Sequence, residues 1–134
     1  MIYVNVKGTT SDELRVHLKD VCYLFLKLLK IYKKTIPLDI NIELTKISHD
    51  GHCEFNDDFN FPEITITLKK GLTREELVLA LGHELVHARQ LLRKQLKNVG
   101  RTQYWMGVES DKEEWEDEAY LLENQLYGEY LKWK

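Results

Sequence analysis

The chain has few of the features that staple a small fold or hold it in lipid. Cys22 and Cys53 are its only cysteines, and neither has a C-x-x-C partner. A disulfide-rich framework is therefore excluded and two reduced thiols are expected. The first residues, "MIYVNVKGTTSDE", carry no basic region followed by an apolar run and a small-residue cleavage site. The expectation is a chain without a secretory signal, in the cytoplasm. The most apolar stretch, "VCYLFLKLLKIY", is broken by Lys27 and Lys30 and is too short to span a bilayer, so no membrane partner is expected. There is no internal repeat and no low-complexity linker. The 134 residues suit one domain, 1–134, with a core large enough to need no staple.

A strong basic excess is also missing. The net charge of −3 gives no general attraction for nucleic acid, and none is expected as a partner. The charge is uneven, however. Residues 1–108 hold 16 Lys and Arg against 13 Asp and Glu, whereas residues 109–134 hold 3 against 9. The acidic excess sits at the C-terminal end, which is where a carboxylate ligand would be sought. Histidine shows the most informative gap: His17, His49, His52, His83 and His87 are present, and none follows position 87.

"IYVNV" alternates as a strand does, and Thr10 or Ser11 is placed to cap a helix running to about Lys34. Its apolar positions are Leu14, Leu18, Val21, Phe25, Leu28 and Tyr32, and Pro37 closes the connection. "LDINIELTKI" and "EITITLKKG" read as further strands, with a hairpin or loop around Asp50-Gly51 between them. Gly71 ends the last strand. Thr73 and Glu76 then form a capping box that opens a helix expected to reach about Leu96. "NVGRTQYWMGVE" reads as a loop, and Ser110 and Glu113 as a second capping box for a C-terminal helix. The expected fold is α+β. A small, mostly antiparallel sheet packs on the N-terminal helix and the His-bearing helix, with a C-terminal helix beside them.

The stretch "LALGHELVHARQLL" contains His83-Glu84-x-x-His87. At about 100° per residue, His87 lies roughly 40° and Glu84 roughly 100° from His83. Leu77, Leu81, Leu85, Ala88, Leu92 and Leu96 occupy about 120–220° on the same wheel, so the histidines turn away from that stripe. Two imidazoles four apart are often just a solvated helix face. A carboxylate between them changes that reading, because a metal-bound water needs a base there.

"HELVHARQ" after a Thr-rich strand resembles the active-site helix and edge strand of the zincin metallopeptidases. The resemblance implies that "EITITLKK" is a peptide-binding edge. The metzincin continuation is absent, since Gln90 and Arg93 stand where Gly and His are required. With no later histidine, the remaining common set is two His and a Glu from a later helix, as in gluzincins. On the C-terminal helix the apolar face leaves Glu116, Glu118 and Glu123 as candidates, with Asp117 on the far side. Glu116-Asp-Glu-Ala119 matches the first four positions of the gluzincin Glu-x-x-Ala-Asp pattern, and Tyr120 stands in place of the Asp. "WEDEAYLLENQL" is also similar to the helix of minigluzincins, small phage-type metallopeptidases and repressor-controlling peptidases.

The resemblance, which covers about residues 61–127, therefore implies Zn2+ held by His83, His87 and Glu116, with Glu118 the rival. It implies Glu84 as general base in the hydrolysis of a peptide or protein substrate. Tyr120, Tyr104 and Tyr127 are candidates for stabilising the oxyanion. The alternative is a zinc-binding regulatory or interaction domain of zincin fold with little general proteolysis. The cluster His49, His52, Cys53, Asp57 and Asp58 reads as a loop rather than a second metal site. His17 reads as solvated, and the Lys19, Lys27, Lys30, Lys33 and Lys34 series as the polar face of the first helix. Arg89, Arg93, Lys94, Lys97 and Arg101 face either the acidic helix or an acidic partner.

Overall fold

The computed structural model describes residues 2–9, 11–31, 38–56, 62–110 and 113–134. Their order is β1 (Ile2–Lys7), α1 (Asp12–Leu28), β2 (Leu38–Thr45), β3 (Gly51–Asn56), β4 (Glu63–Lys69), α2 (Arg74–Leu92), β5 (Leu96–Val99), β6 (Thr102–Trp105), β7 (Val108–Glu109) and α3 (Glu114–Trp133). This is the α+β class read from the sequence. Thr10, Tyr32, Lys33, Lys34, Pro37, Asp57 and Asp58 lie outside the described residues.

The main sheet corrects the expectation of mostly antiparallel pairing. Its strand order is β1-β2-β4-β3; β1 runs parallel to β2 and β2 parallel to β4, and only β3 is antiparallel to its neighbour. Period-2 alternation reports which side chains share a face and says nothing about strand direction. Direction follows from the connections, and α1 supplies the long crossover that a parallel β1–β2 pair needs. A second correction follows from the same order. β4, read as the peptide-binding edge, is paired on both sides, and β3 is the edge strand.

One face of the sheet makes the core. Ile40, Ile42, Ile64, Ile66 and Leu68 are fully buried there, each side chain contributing about 1.5–3 kcal/mol by leaving water. The opposite face carries Asn5, Glu43, Thr65 and Thr67 and is polar or half-exposed. α2 is more central than an amphipathic surface helix. Gly82 and Val86 are also buried, at roughly 260° and 300° on the wheel counted from His83 and so beyond the leucine stripe. A Cβ added at Gly82 would lie 3.3 Å from the Phe25 ring and 3.5 Å from Leu126, so the glycine lets α1 and α3 close on α2.

Helix ends differ from expectation in informative ways. Ser11 caps α1, its hydroxyl accepting from the Leu14 N–H. The Thr73–Glu76 capping box of α2 is present in both directions. α2 stops at Leu92, because Lys94 takes a left-handed φ of 57° and the chain turns into β5. The segment read as a loop is an antiparallel meander, β5-β6-β7, whose short strands give too few alternations to register as a pattern. The second capping box does not form. Glu113 caps α3 at φ 55° without a side-chain bond, and the Ser110 hydroxyl donates to Glu114 instead. His17 is half-buried rather than fully solvated: its Nε2 lies 2.9 Å from the Tyr130 hydroxyl, between α1 and α3. Among the described residues no helix is long and apolar enough to cross a membrane.

Candidate metal centre

The α2 helix presents His83 and His87 one turn apart, and α3 crosses it so that Glu116, in its first turn, reaches both. His83 Nε2 lies 3.2 Å from Glu116 Oε1 and 3.2 Å from His87 Nε2, and His87 Nε2 also contacts Glu116 Oε1. Their ligand atoms lie within 4.8 Å of one another, and among the described residues this is the His/Cys/Asp/Glu cluster with the spacing to hold a metal ion. Both imidazoles are mostly buried, with side chains 13% exposed.

The outward nitrogens decide whether that cluster suits a cation. His83 Nδ1 is 3.0 Å from Glu123 Oε1, and His87 Nδ1 is 2.8 Å from Gln90 Oε1. Gln90 is fully buried, and its amide nitrogen donates to the Trp115 carbonyl and to Glu118 Oε1, which fixes its oxygen toward His87. His87 Nδ1 therefore donates its proton outward, and with Glu123 accepting from His83 Nδ1 in the same way, each Nε2 turns a lone pair inward. Two lone pairs and a carboxylate oxygen then face one another. That is a set of acceptors whose mutual repulsion a shared cation relieves, and the donor set fits a borderline metal.

The rival carboxylate is placed elsewhere. Glu118 accepts from Gln90 and lies 3.7 Å from Arg89 Nη2, so it supports the support of His87. That contact also shows part of the basic stretch pairing with the acidic helix. Arg93 instead reaches the Leu29 and Lys30 carbonyls at the end of α1. The backing that Tyr120 cannot give as an aspartate would is supplied to His83 by Glu123. The Tyr120 ring lies 4.7 Å from the His83 ring and is 58% exposed.

These groups line a cleft of about 630 Å³. Its walls are the segment entering β3, the outward face of α2, the meander through Leu96, Asn98 and Gln103, and the start of α3. Glu84 lies in it, only 6% exposed. Burial pushes its carboxyl up to about 7; His83 opposes the shift, while Glu116 and Glu123 add to it. Of the three tyrosines considered for an oxyanion, Tyr120 lines the cleft, whereas Tyr127 stacks near Tyr130. His49, His52 and Cys53 also line it without converging: His52 bonds Glu54 and His49 lies near Ser48. Both cysteines are free thiols, and burial raises the pKa of each.

The sequence reading missed Gln90 and the edge position of β3, and it held Glu123 only as a ligand candidate. Gln90 follows His83 by seven residues and Glu123 follows Glu116 by seven. Each such pair falls on one helix face, so the signal was present. No protein-family model, curated protein or solved structure matches the chain. The chemistry of the cleft carries the functional reading.

Proposed function

We propose that the chain is a zinc-dependent metallopeptidase of gluzincin type, acting on peptide or protein substrates. The observation that carries this reading is the convergence of His83 Nε2, His87 Nε2 and Glu116 beside a buried Glu84 in an open cleft. A zinc ion on those three side chains would supply Lewis acidity, lowering the pKa of water and polarising a carbonyl at an open fourth position. The protein's own groups do the rest. Glu84 accepts a proton as water attacks the amide carbon and returns it to the leaving amine as the C–N bond breaks, leaving a carboxylic acid and an amine. Glu123 and Gln90 hold the two imidazoles in orientation. Tyr120 is the tyrosine in reach of a developing oxyanion. The outer edge of β3, unpaired among the described residues, borders the cleft and offers backbone groups to an extended peptide.

The test is cleavage of casein and a peptide library by zinc-loaded protein, with Glu84→Gln as control. Cleavage should fall at least about 100-fold in the variant while zinc stays bound. Equal cleavage by both proteins would sink the mechanism.

A second reading, a zinc-binding interaction domain with little proteolysis, draws on the meander. Val99, Met106 and Val108 are exposed there at 62%, 59% and 68%, a surface suited to a protein partner. It expects bound zinc and a single partner, with generic substrates left intact.

A further inference from the structure

Gly51 is unlike the glycines that turn the chain. Gly71, Gly100 and Gly107 hold positive φ angles and have open space where a side chain would stand. Gly51 has no such φ, so its backbone would accept any residue. What it lacks is room. A Cβ there would lie 2.9 Å from Glu84 Oε2, 3.0 Å from Glu84 Cγ and 3.3 Å from Glu84 Cδ.

The backbone on neither side of that contact can easily retreat. β3 is tied at this end, with Gly51 opposite the fully buried Leu68 and the Asp50 carbonyl accepting from the Lys69 N–H at 2.9 Å. Glu84 stands on a helix whose neighbouring Leu81 and Leu85 are fully buried. The free motion left is rotation of the Glu84 side chain itself, which would swing the carboxylate out of place.

We infer that Gly51 is a positioning residue: its missing side chain lets the edge strand pack on Glu84 and confines that carboxylate to the cleft floor. This rests on the peptidase reading for its catalytic consequence and on geometry alone for the contact. It also places the base directly beneath the strand whose free edge would carry a peptide, so a bond paired near Gly51 is the one presented to Glu84.

A double-mutant cycle on metal-free protein tests the contact. Gly51→Ala should lower Tm by about 4 °C or more, the effect of overpacking, and should shift it by less than about 1 °C in a Glu84→Ala background. If Gly51→Ala folds only when Glu84 is also shortened, the contact is equally supported. Equal shifts in the two backgrounds would overturn it. With zinc bound, Gly51→Ala should lower kcat by about 100-fold at unchanged KM and zinc stoichiometry, since displacements near 1 Å cost that much. Glu84→Asp should lose less activity in the Gly51→Ala background than in the wild-type chain. An unchanged kcat overturns the positioning role. Wild-type protein that cleaves nothing defeats the peptidase reading and the catalytic consequence, while the metal-free cycle still decides the contact.

Discussion

His83 and His87 stand one turn apart on α2 with side chains 13% exposed, whereas His49 and His52 border the same cleft from the segment entering β3 and from the start of β3 itself, His52 with its side chain 53% exposed. The rings of the second pair sit 6.3 Å apart and their nitrogens go to Ser48 and Glu54. Each helix histidine has an acceptor behind it and a shared carboxylate in front. The contrast teaches that a pair of imidazoles becomes a metal centre through its backing: outward acceptors fix the tautomers, and a third element brings the acid.

Substitutions can break that contrast, beginning with the largest effect. His83→Ala or His87→Ala should lower zinc affinity by more than about 100-fold, while His49→Ala and His52→Ala leave one zinc per chain, as read by metal analysis after dialysis. Glu116→Ala should also lose the ion. Glu118→Ala should keep it, with some loss of stability from freeing Gln90 and Arg89; zinc lost in Glu118→Ala would reassign the third ligand. The backing residues come next. Glu123→Ala and Gln90→Ala should weaken zinc binding by about 10–100-fold in a competition titration, and a change under twofold would deny them a supporting role.

The smallest effect concerns a histidine outside the cleft. His17 packs on Tyr130 and near Trp133, and its pKa is lowered, first by burial and then by Arg74; Asp20 and Glu13 oppose the shift, and Lys134 adds to it. Its folded value lies below the unfolded one, so the unfolded chain binds more protons. Its contribution to stability is therefore present above the ordinary value of 6.5 and is lost as pH falls through the folded pKa. His17→Gln should accordingly show a smaller Tm decrease than wild type between pH 7.5 and pH 5. Parallel decreases would remove His17 from the account of acid stability.

The same residues explain how much was legible in advance. The His-Glu-x-x-His helix and its Thr73–Glu76 cap were readable because local spacing on a helix fixes which side chains share a face; that spacing left Glu116, Glu118 and Glu123 open as the acid, and only the gluzincin resemblance pointed to Glu116. The apolar faces of β2 and β4 were readable from alternation. Strand direction and edge position were not, since both depend on how β3 passes outside β4, which no local pattern encodes. Gly51 was read as part of a turn beside Asp50. Its actual constraint is the approach of Glu84, 33 positions later in the chain, and such long-range crowding leaves no mark on composition. Glu113 looked like the N3 half of a capping box, yet it is itself the N-cap, in a left-handed conformation, so α3 starts three residues later than the box requires.

A crystal structure of zinc-loaded protein, with anomalous data at the zinc edge, tests the centre most directly. The expected result is a single strong peak bonded to His83 Nε2, His87 Nε2 and the Glu116 carboxylate, with Glu123 and Gln90 still behind the two rings. No peak there, or a peak held by His49 and His52 instead, would contradict it.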